Sequence, residues 1–313
     1  MTQMHARVFR KVGSASRVIT ALFFVVALAA TVRGQEMEAR AYSPAPVGAN
    51  VAVFVYTFQT GDVLFDASLP LKDVNVKLNA AGVGYGRTFG LFGRQTTASV
   101  ALPYAWGTVR GSVFEQSHEV RRSGLADARI RVAVNLFGSP ALSPREFAAR
   151  KPSTMVGTSF TVIFPSGQYD PRRLVNLGAN RFAFKPEVGI SQPIGSWTLE
   201  LDTGVLFYSD NKEFFGGARR EQKPLASIQG HVIYTFKPRM WLSVDGTYYT
   251  GGRTTVNDTL NADLQRNSRI GATFSLPVTR KHSLKVSWAK GLTAIVGGDL
   301  NTVAIGWQYA WIK

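Results

Sequence analysis

The residues best suited to chemistry in this sequence are charged side chains that alternate with apolar ones. They are Arg129, Arg131, Lys185, Glu187, Glu200, Asp202, His231, Asp245, Arg269 and Lys285. Residues two apart in a β-strand share a face, so these side chains lie opposite the apolar ones. A packed soluble core would not tolerate so many charges. They predict either a polar conduit or cavity whose charges select a solute, or a network of ion pairs that closes the interior.

Enzymatic chemistry is not indicated by the pattern. Some twelve-stranded barrels hydrolyse lipids with Ser, His and Asn at the outer rim, but His231 points to the predicted lumen, with no serine on the lipid face beside it. His118 and His282 fall in connections between strands. The sequence has no cysteine and no acidic or histidine cluster at metal-ligand spacing. We therefore expect no catalytic residue, no metal site and no cofactor.

The N-terminus has the pattern of an export signal. Arg7, Arg10, Lys11 and Arg17 precede an uncharged run over residues 18–32. A basic stretch followed by an apolar run of this length is typical of a signal peptide, and the run is too short to span a bilayer comfortably. We expect a signal peptide over residues 1–34, with cleavage after Ala29 as the alternative, and a single mature domain over residues 35–313.

The elements that position the charges are strands with a two-residue alternation. The last, over residues 302–311, has Val303, Ile305, Trp307, Tyr309 and Trp311 on one face and small or polar residues on the other. Similar alternation recurs through the chain, and with two less regular segments, at 51–58 and 74–89, it gives twelve strands. A register slip, as at a β-bulge, is expected near Ala80 and Ala81.

The connections between these strands alternate in length. Short ones lie at 91–94, 193–196, 237–240 and 279–282, and longer ones at 59–73, 108–123, 166–180, 209–223 and 251–265. Outer-membrane barrels have tight periplasmic turns and long outer loops. The alternation and the even count predict an all-β, antiparallel transmembrane barrel of about twelve strands with both termini in the periplasm. The segment 139–153 is long for a periplasmic connection and predicts a short helix near Glu146.

Aromatic residues collect near the predicted strand ends, as expected at membrane interfaces. Trp197, Trp241 and Trp311 lie at the inner interface, and Trp106, Tyr208, Tyr248 and Tyr249 at the outer one. The alternative is that they are core aromatics of a soluble β-sandwich. Phe214 and Phe215 stand in a charged outer loop. They form either an apolar entry site at the outer mouth or an anchor for the loop.

Removing residues 1–34, which hold five cations and no acid, lowers the formal net charge from +16 to +11. The basic residues are dispersed or in loops, without a nucleic-acid motif. We therefore expect outer-membrane lipid and lipopolysaccharide as partners, and no nucleic acid.

Several segments resemble a known family. Residues 123–142 (SGLADARIRVAVNLFGSPAL), 184–195 (FKPEVGISQPIG), 249–257 (YTGGRTTVN) and 266–278 (RNSRIGATFSLPV) are similar to outer-membrane transporters named for a MetA pathway of phenol degradation. The resemblance implies a Gram-negative outer-membrane barrel that passes aromatic or other hydrophobic compounds, and it carries no established site residues. The barrel assembly machinery is then a further expected partner.

The sequence thus predicts an outer-membrane channel for small, hydrophobic or aromatic molecules by passive diffusion. One alternative is a closed barrel that binds lipopolysaccharide or a partner through basic outer loops. A lipid hydrolase is the other.

Overall fold

The computed structural model describes residues 37–64, 71–113, 116–173, 175–294 and 297–313. The predicted signal peptide lies outside these residues. The strands of the main sheet are β1 (Ala49–Leu64), β2 (Leu71–Leu91), β3 (Arg94–Val113), β4 (Gln116–Leu125), β5 (Arg129–Phe137), β6 (Met155–Ile163), β7 (Ala183–Ile194), β8 (Trp197–Tyr208), β11 (Leu225–Lys237), β12 (Met240–Gly251), β15 (Gln265–Pro277), β16 (His282–Thr293) and β17 (Gly297–Ile312). A second sheet comprises β9 (Asn211–Phe214), β10 (Ala218–Gln222), β13 (Thr254–Val256) and β14 (Thr259–Leu260).

The main sheet closes into a ring of antiparallel strands. β1 pairs with β17, and β2 pairs with both β1 and β3. β4 and β5 follow one another along β3 and form one broken wall strand, so the thirteen strands make a barrel of twelve. The break follows Leu125, where the Ala126 N–H donates to the carbonyl of Pro103 at 2.9 Å. The predicted strand count and antiparallel order are confirmed.

The outer surface of the barrel is apolar and the inner surface is polar, as in membrane barrels. On β17, Ile305 is 49% exposed, whereas the inward Gln308 is buried. Two aromatic assignments are wrong: Trp241 and Tyr249 are each 1% exposed. They face the interior because their neighbours in the alternation, Leu242 and Tyr248, face outward.

The expected slip near Ala80 and Ala81 is also wrong. β2 keeps one register with β1 and β3 through these residues, and its only shift lies between Lys72 and Asn75. The apolar residues of β2 do not all face outward. Leu78 lies at an inward position, where it packs with Ala80 and Ala105.

The two ends of the barrel differ. At one, which we call the turn end, short turns join β2 to β3, β7 to β8, β11 to β12 and β15 to β16. The N–H of Lys313 donates to the Gly48 carbonyl there at 3.1 Å. The opposite loop end carries the second sheet. The described parts of the segments 59–73 and 108–123, predicted as loops, are strand, because pairing of β1–β2 and β3–β4 continues beyond the barrel wall.

The predicted helix is present as α1 (Pro144–Ala148) at the turn end. Ser143 caps it, with its hydroxyl accepting from the Glu146 N–H, while the Glu146 carboxylate accepts from the Ser143 N–H. This reciprocal pair satisfies donors that a helix N-terminus leaves open. Across the described ranges, no helix has the length and apolar character needed to cross a membrane.

Candidate functional site in the barrel interior

The chain before β1 lies inside the barrel, and we call residues 37–47 the luminal segment. Its Ala45 N–H donates to Gln95 Oε1 of β3 at 2.9 Å, and Asn135 of β5 donates to the Tyr42 carbonyl at 3.2 Å. Farther along, the Arg40 N–H donates to Glu200 Oε2 of β8 at 2.6 Å. The segment therefore follows the inner wall from β3 to β8 and narrows the lumen.

Tyr42 sits in a slot made by two glycines. Gly157 of β6 and Gly189 of β7 pair directly and both face inward. A Cβ at Gly157 would lie 2.2 Å from Cδ1 of the Tyr42 ring, and one at Gly189 would lie 2.4 Å from Cε2. Only the missing side chains leave room for the ring. The Tyr42 hydroxyl shares a hydrogen bond with Ser159 Oγ at 3.3 Å.

Charged side chains of the wall also hold the segment. Arg131 lies over the Tyr42 ring, 5.3 Å from its centroid, and its Nη2 is 3.7 Å from Glu187 Oε1. Its Nη1 is 4.0 Å from Glu38 Oε1. Lys185 pairs with Glu187. Arg131 therefore bridges a wall carboxylate and a carboxylate of the luminal segment.

Arg40 makes the second anchor. Its Nη2 donates to Thr235 Oγ1 of β11 at 2.7 Å, and its guanidinium lies 5.2 Å from the centroid of the Trp241 ring. Lys285 Nζ lies 5.5 Å from the centroid of the same ring. The inward ring of Trp241 thus contacts two cations at the turn end.

His231 lies between two carboxylates of the wall. Its Nδ1 is 2.7 Å from Asp245 Oδ1 and its Nε2 is 3.6 Å from Asp202 Oδ2. Ser243 donates its hydroxyl to Asp245, not to the histidine, at 3.1 Å. The arrangement cross-links β8, β11 and β12, and it lacks the nucleophile–base contact of a hydrolase.

The loop end of the lumen combines an apolar cluster with two arginines. Leu206, Leu225 and Tyr249 form an inward cluster there. Arg269 donates to Thr302 Oγ1 at 3.1 Å, and Arg129 enters the lumen from β5, opposite Ile163. Within the described parts of the chain, no group of three or more acidic or histidine side chains is arranged to hold a metal ion.

Phe214 and Phe215 both lie outside the lumen wall. Phe214 ends β9 of the second sheet, and Phe215 begins the 3-10 turn that follows β9. The Arg220 guanidinium stands 5.2 Å from the centroid of the Phe214 ring. The adjoining Gly216 N–H donates to the Pro171 carbonyl at 3.0 Å. These contacts favour the loop-anchor interpretation of the pair.

The nine charged residues predicted to line the lumen come from six wall strands and all face inward. Sequence reasoning missed Glu38, Arg40 and Tyr42, because the luminal segment has no strand alternation. A usable signal was the pair of inward glycines, since Gly157 and Gly189 leave a gap that the wall itself does not fill.

A closed barrel of twelve antiparallel strands, apolar outside and charged inside, defines the class of outer-membrane β-barrels. The chain belongs to the family described as "Putative MetA-pathway of phenol degradation", whose model matches residues 47–296.

Solved structures share the fold. The COG4313 outer membrane channel from Pseudomonas putida F1 superposes with a TM-score of 0.74 at 20% identity, covering 88% of this chain and 100% of that one. The transport unit of the autotransporter AIDA-I from Escherichia coli gives 0.51 at 9% identity, covering 95% and 97%. The beta domain of the Bordetella autotransporter BrkA gives 0.51 at 11% identity, covering 84% and 100%. No curated protein sequence matches the chain.

The predicted family, fold and location are confirmed: the protein is a β-barrel of the Gram-negative outer membrane.

Proposed function

We propose that the protein conducts small hydrophobic or aromatic molecules by passive diffusion, and that the luminal segment sets the width of the path. The proposal rests on the side-chain contacts that hold the luminal segment against the barrel wall. Tyr42, Arg40 and Glu38 bind the wall through side-chain contacts, and the segment is not a strand of the barrel. Side-chain contacts of this kind are released without breaking the ring of backbone hydrogen bonds.

The side chains around the lumen favour a hydrophobic solute. Leu206, Leu225 and Tyr249 form a buried apolar cluster at the loop end, and a hydrophobic solute would pass beside this cluster as it enters. Lys185 and Glu187 of the lumen wall pair with one another. Because these charges are paired, they attract a neutral solute only weakly. Such a solute can pass without binding tightly. The family's description, phenol degradation, supports the same class.

A disulfide lock tests the proposal. The chain contains no cysteine, and Ala41 and Ala133 share one buried cluster between the segment and β5. For Ala41→Cys/Ala133→Cys, we expect oxidation to lower both planar-bilayer conductance and liposome uptake of phenol, and reduction to restore them. Ala41→Cys alone is the matched control and should not respond. Equal conductance in the oxidised and reduced forms would contradict a mobile segment.

A permanently closed barrel is the second candidate. Arg131 favours it, because this residue joins Glu38 of the segment to Glu187 of the wall. In that case the reduced lock variant conducts no more than the oxidised one. Assembly by the barrel assembly machinery remains an expectation under both candidates.

A further inference from the structure

Three basic side chains project from the loop end of the barrel on its outer surface. Lys77 of β2 and Arg121 of β4 both lie beside Thr108 of β3, and Arg110 lies two residues farther along β3. Paired residues of adjacent strands point to the same face. Lys77 follows the outward alternation of Val83 and Tyr85, so all three cations face away from the lumen.

An aromatic cluster lies directly below these cations. The rings of Tyr56 and Trp106 are 6.2 Å apart, and Tyr104 is 6.2 Å from Trp106. The Tyr56 hydroxyl donates to Asn79, the residue paired with Trp106. Outward Tyr and Trp mark the boundary between hydrocarbon and head groups. The cations therefore stand at the height of the lipid phosphates.

The cations are open to a partner. The side chains of Arg110 and Arg121 are 63% and 84% exposed. Each points its Nε to Glu119, at 2.6 Å and 3.4 Å, so one carboxylate orients both guanidinium groups. With Lys77, three positive charges lie near two negative ones, because Asp62 of β1 is exposed on the same face and pairs with Asn75, two residues from Lys77. The cluster keeps a net positive charge, and guanidinium groups bind phosphate in a bidentate manner.

Outward cations at the loop end also occur on the far side of the barrel. Arg266 of β15 pairs with Thr250, and Lys290 of β16 pairs with Ile270, both at outward positions. Lys77, Arg110 and Arg121 differ from these two because they lie close together on three adjacent strands, and Glu119 orients both arginines. This close spacing suits a single bound molecule.

We propose that Lys77, Arg110 and Arg121 form a binding site for the phosphates of lipid A, the membrane anchor of lipopolysaccharide, with its acyl chains against Tyr56 and Trp106. Long loops of outer-membrane barrels face the cell exterior, which places the site in the leaflet that contains this lipid. The proposal is independent of conduction, because the site lies outside the lumen.

Native mass spectrometry of the detergent-purified protein with bisphosphorylated lipid A tests the site. We expect Lys77→Ala/Arg110→Ala/Arg121→Ala to weaken binding roughly 100-fold, because each basic residue near an anionic lipid surface contributes roughly fivefold. Arg87→Ala/Arg145→Ala/Lys237→Ala removes three exposed cations from the turn end instead. This matched control should bind like the wild type.

Two comparisons sharpen the test. Monophosphorylated lipid A and phosphatidylglycerol should bind the wild type more weakly than bisphosphorylated lipid A. Glu119→Gln should strengthen binding, because it removes the carboxylate that competes with phosphate for both arginines. If the triple variant fails to fold, Lys77→Ala alone carries the test.

Equal losses in the two triple variants would overturn the proposal, because they would indicate nonspecific charge attraction. Phosphatidylglycerol binding as tightly as lipid A would overturn it as well. Weaker binding of lipid A by the Glu119→Gln variant would also contradict the proposal.

Discussion

Two glycines determine where the luminal segment rests. Gly157 and Gly189 have no side chain at paired inward positions, and the Tyr42 ring occupies that space. The fit is steric, since a single methyl group at Gly157 would stand 2.2 Å from a ring carbon. The position of the segment thus depends on residues that carry no functional group.

Gly157→Ala should therefore displace Tyr42 and raise the bilayer conductance. In an Ala41→Cys background, the thiol should also react faster with a water-soluble maleimide. Gly230→Ala is the control, because a Cβ there has no neighbour within 4 Å. Unchanged labelling and conductance in Gly157→Ala would show that the glycine slot does not position the segment.

The buried contact of His231 with Asp245 should stabilise the barrel wall. Asp245→Ala leaves the Nδ1 of His231 and the hydroxyl of Ser243 without their acceptor. Removing one member of a buried pair costs about 3 kcal/mol of the free energy of unfolding. Urea unfolding in lipid vesicles, followed by tryptophan fluorescence, measures the loss.

Ser243→Ala is the control for this change. It removes one neutral hydrogen bond and should cost about 1 kcal/mol. Equal losses in the two variants would mean that the histidine contact adds nothing to the stability of the wall.

Some elements of the fold follow from their own residues, whereas others depend on the strand that pairs with them. The short helix α1 follows from its own residues, because Ser143 and Glu146 form a capping box around Pro144. The extension of β3 and β4 beyond the wall does not follow from alternation. It depends on the partner strand, which supplies backbone hydrogen bonds wherever it runs alongside.

The helix α1 should be less stable in acid. Hydrogen bonds from the Ser143 hydroxyl and N–H hold the pKa of Glu146 below its ordinary value of 4.5. Because the folded pKa is lowered, the ionised carboxylate stabilises the helix at pH above 4.5, and this contribution is lost as the pH falls through the lowered value. Amide-exchange protection of Phe147, corrected for intrinsic rates, should fall over that range.

Ser143→Ala should weaken the helix at neutral pH and flatten its response to acid. An unaltered pH dependence in this variant would remove Glu146 as the cause.

On the scale of the whole molecule, the barrel and the luminal segment are separable. The ring is closed by backbone pairing of β1 with β17 and of β2 with β3, and neither pairing involves residues 37–47. A variant lacking residues 37–46 should therefore keep its heat-modifiable migration on gels and its β-sheet circular dichroism, while its conductance rises. Loss of heat modifiability would show instead that the segment is needed for folding.

Restoring the segment provides the complementary test. A synthetic peptide of residues 37–46 added to the shortened barrel should lower the conductance, and a peptide with Tyr42 replaced by Ala should act more weakly. No effect of the native peptide would argue against an autonomous binding groove.

The sequence by itself determined the fold class, the number of wall strands and the facing of the nine luminal charges. Its two-residue alternation is the physical signature of a sheet between lipid and water, and a ring of such strands has no free edge. Arg131, Glu187 and His231 could thus be placed from local periodicity alone.

Only the tertiary structure decided what those charges contact. The luminal segment has no periodicity, and its path depends on Tyr42 meeting glycines more than one hundred residues away. Trp241 is different, because its inward position follows from the local alternation with the outward Leu242, and only its contact with Arg40, about two hundred residues earlier, depends on the tertiary structure. Contacts between distant parts of a chain depend on closure of the whole barrel, which no local pattern reports.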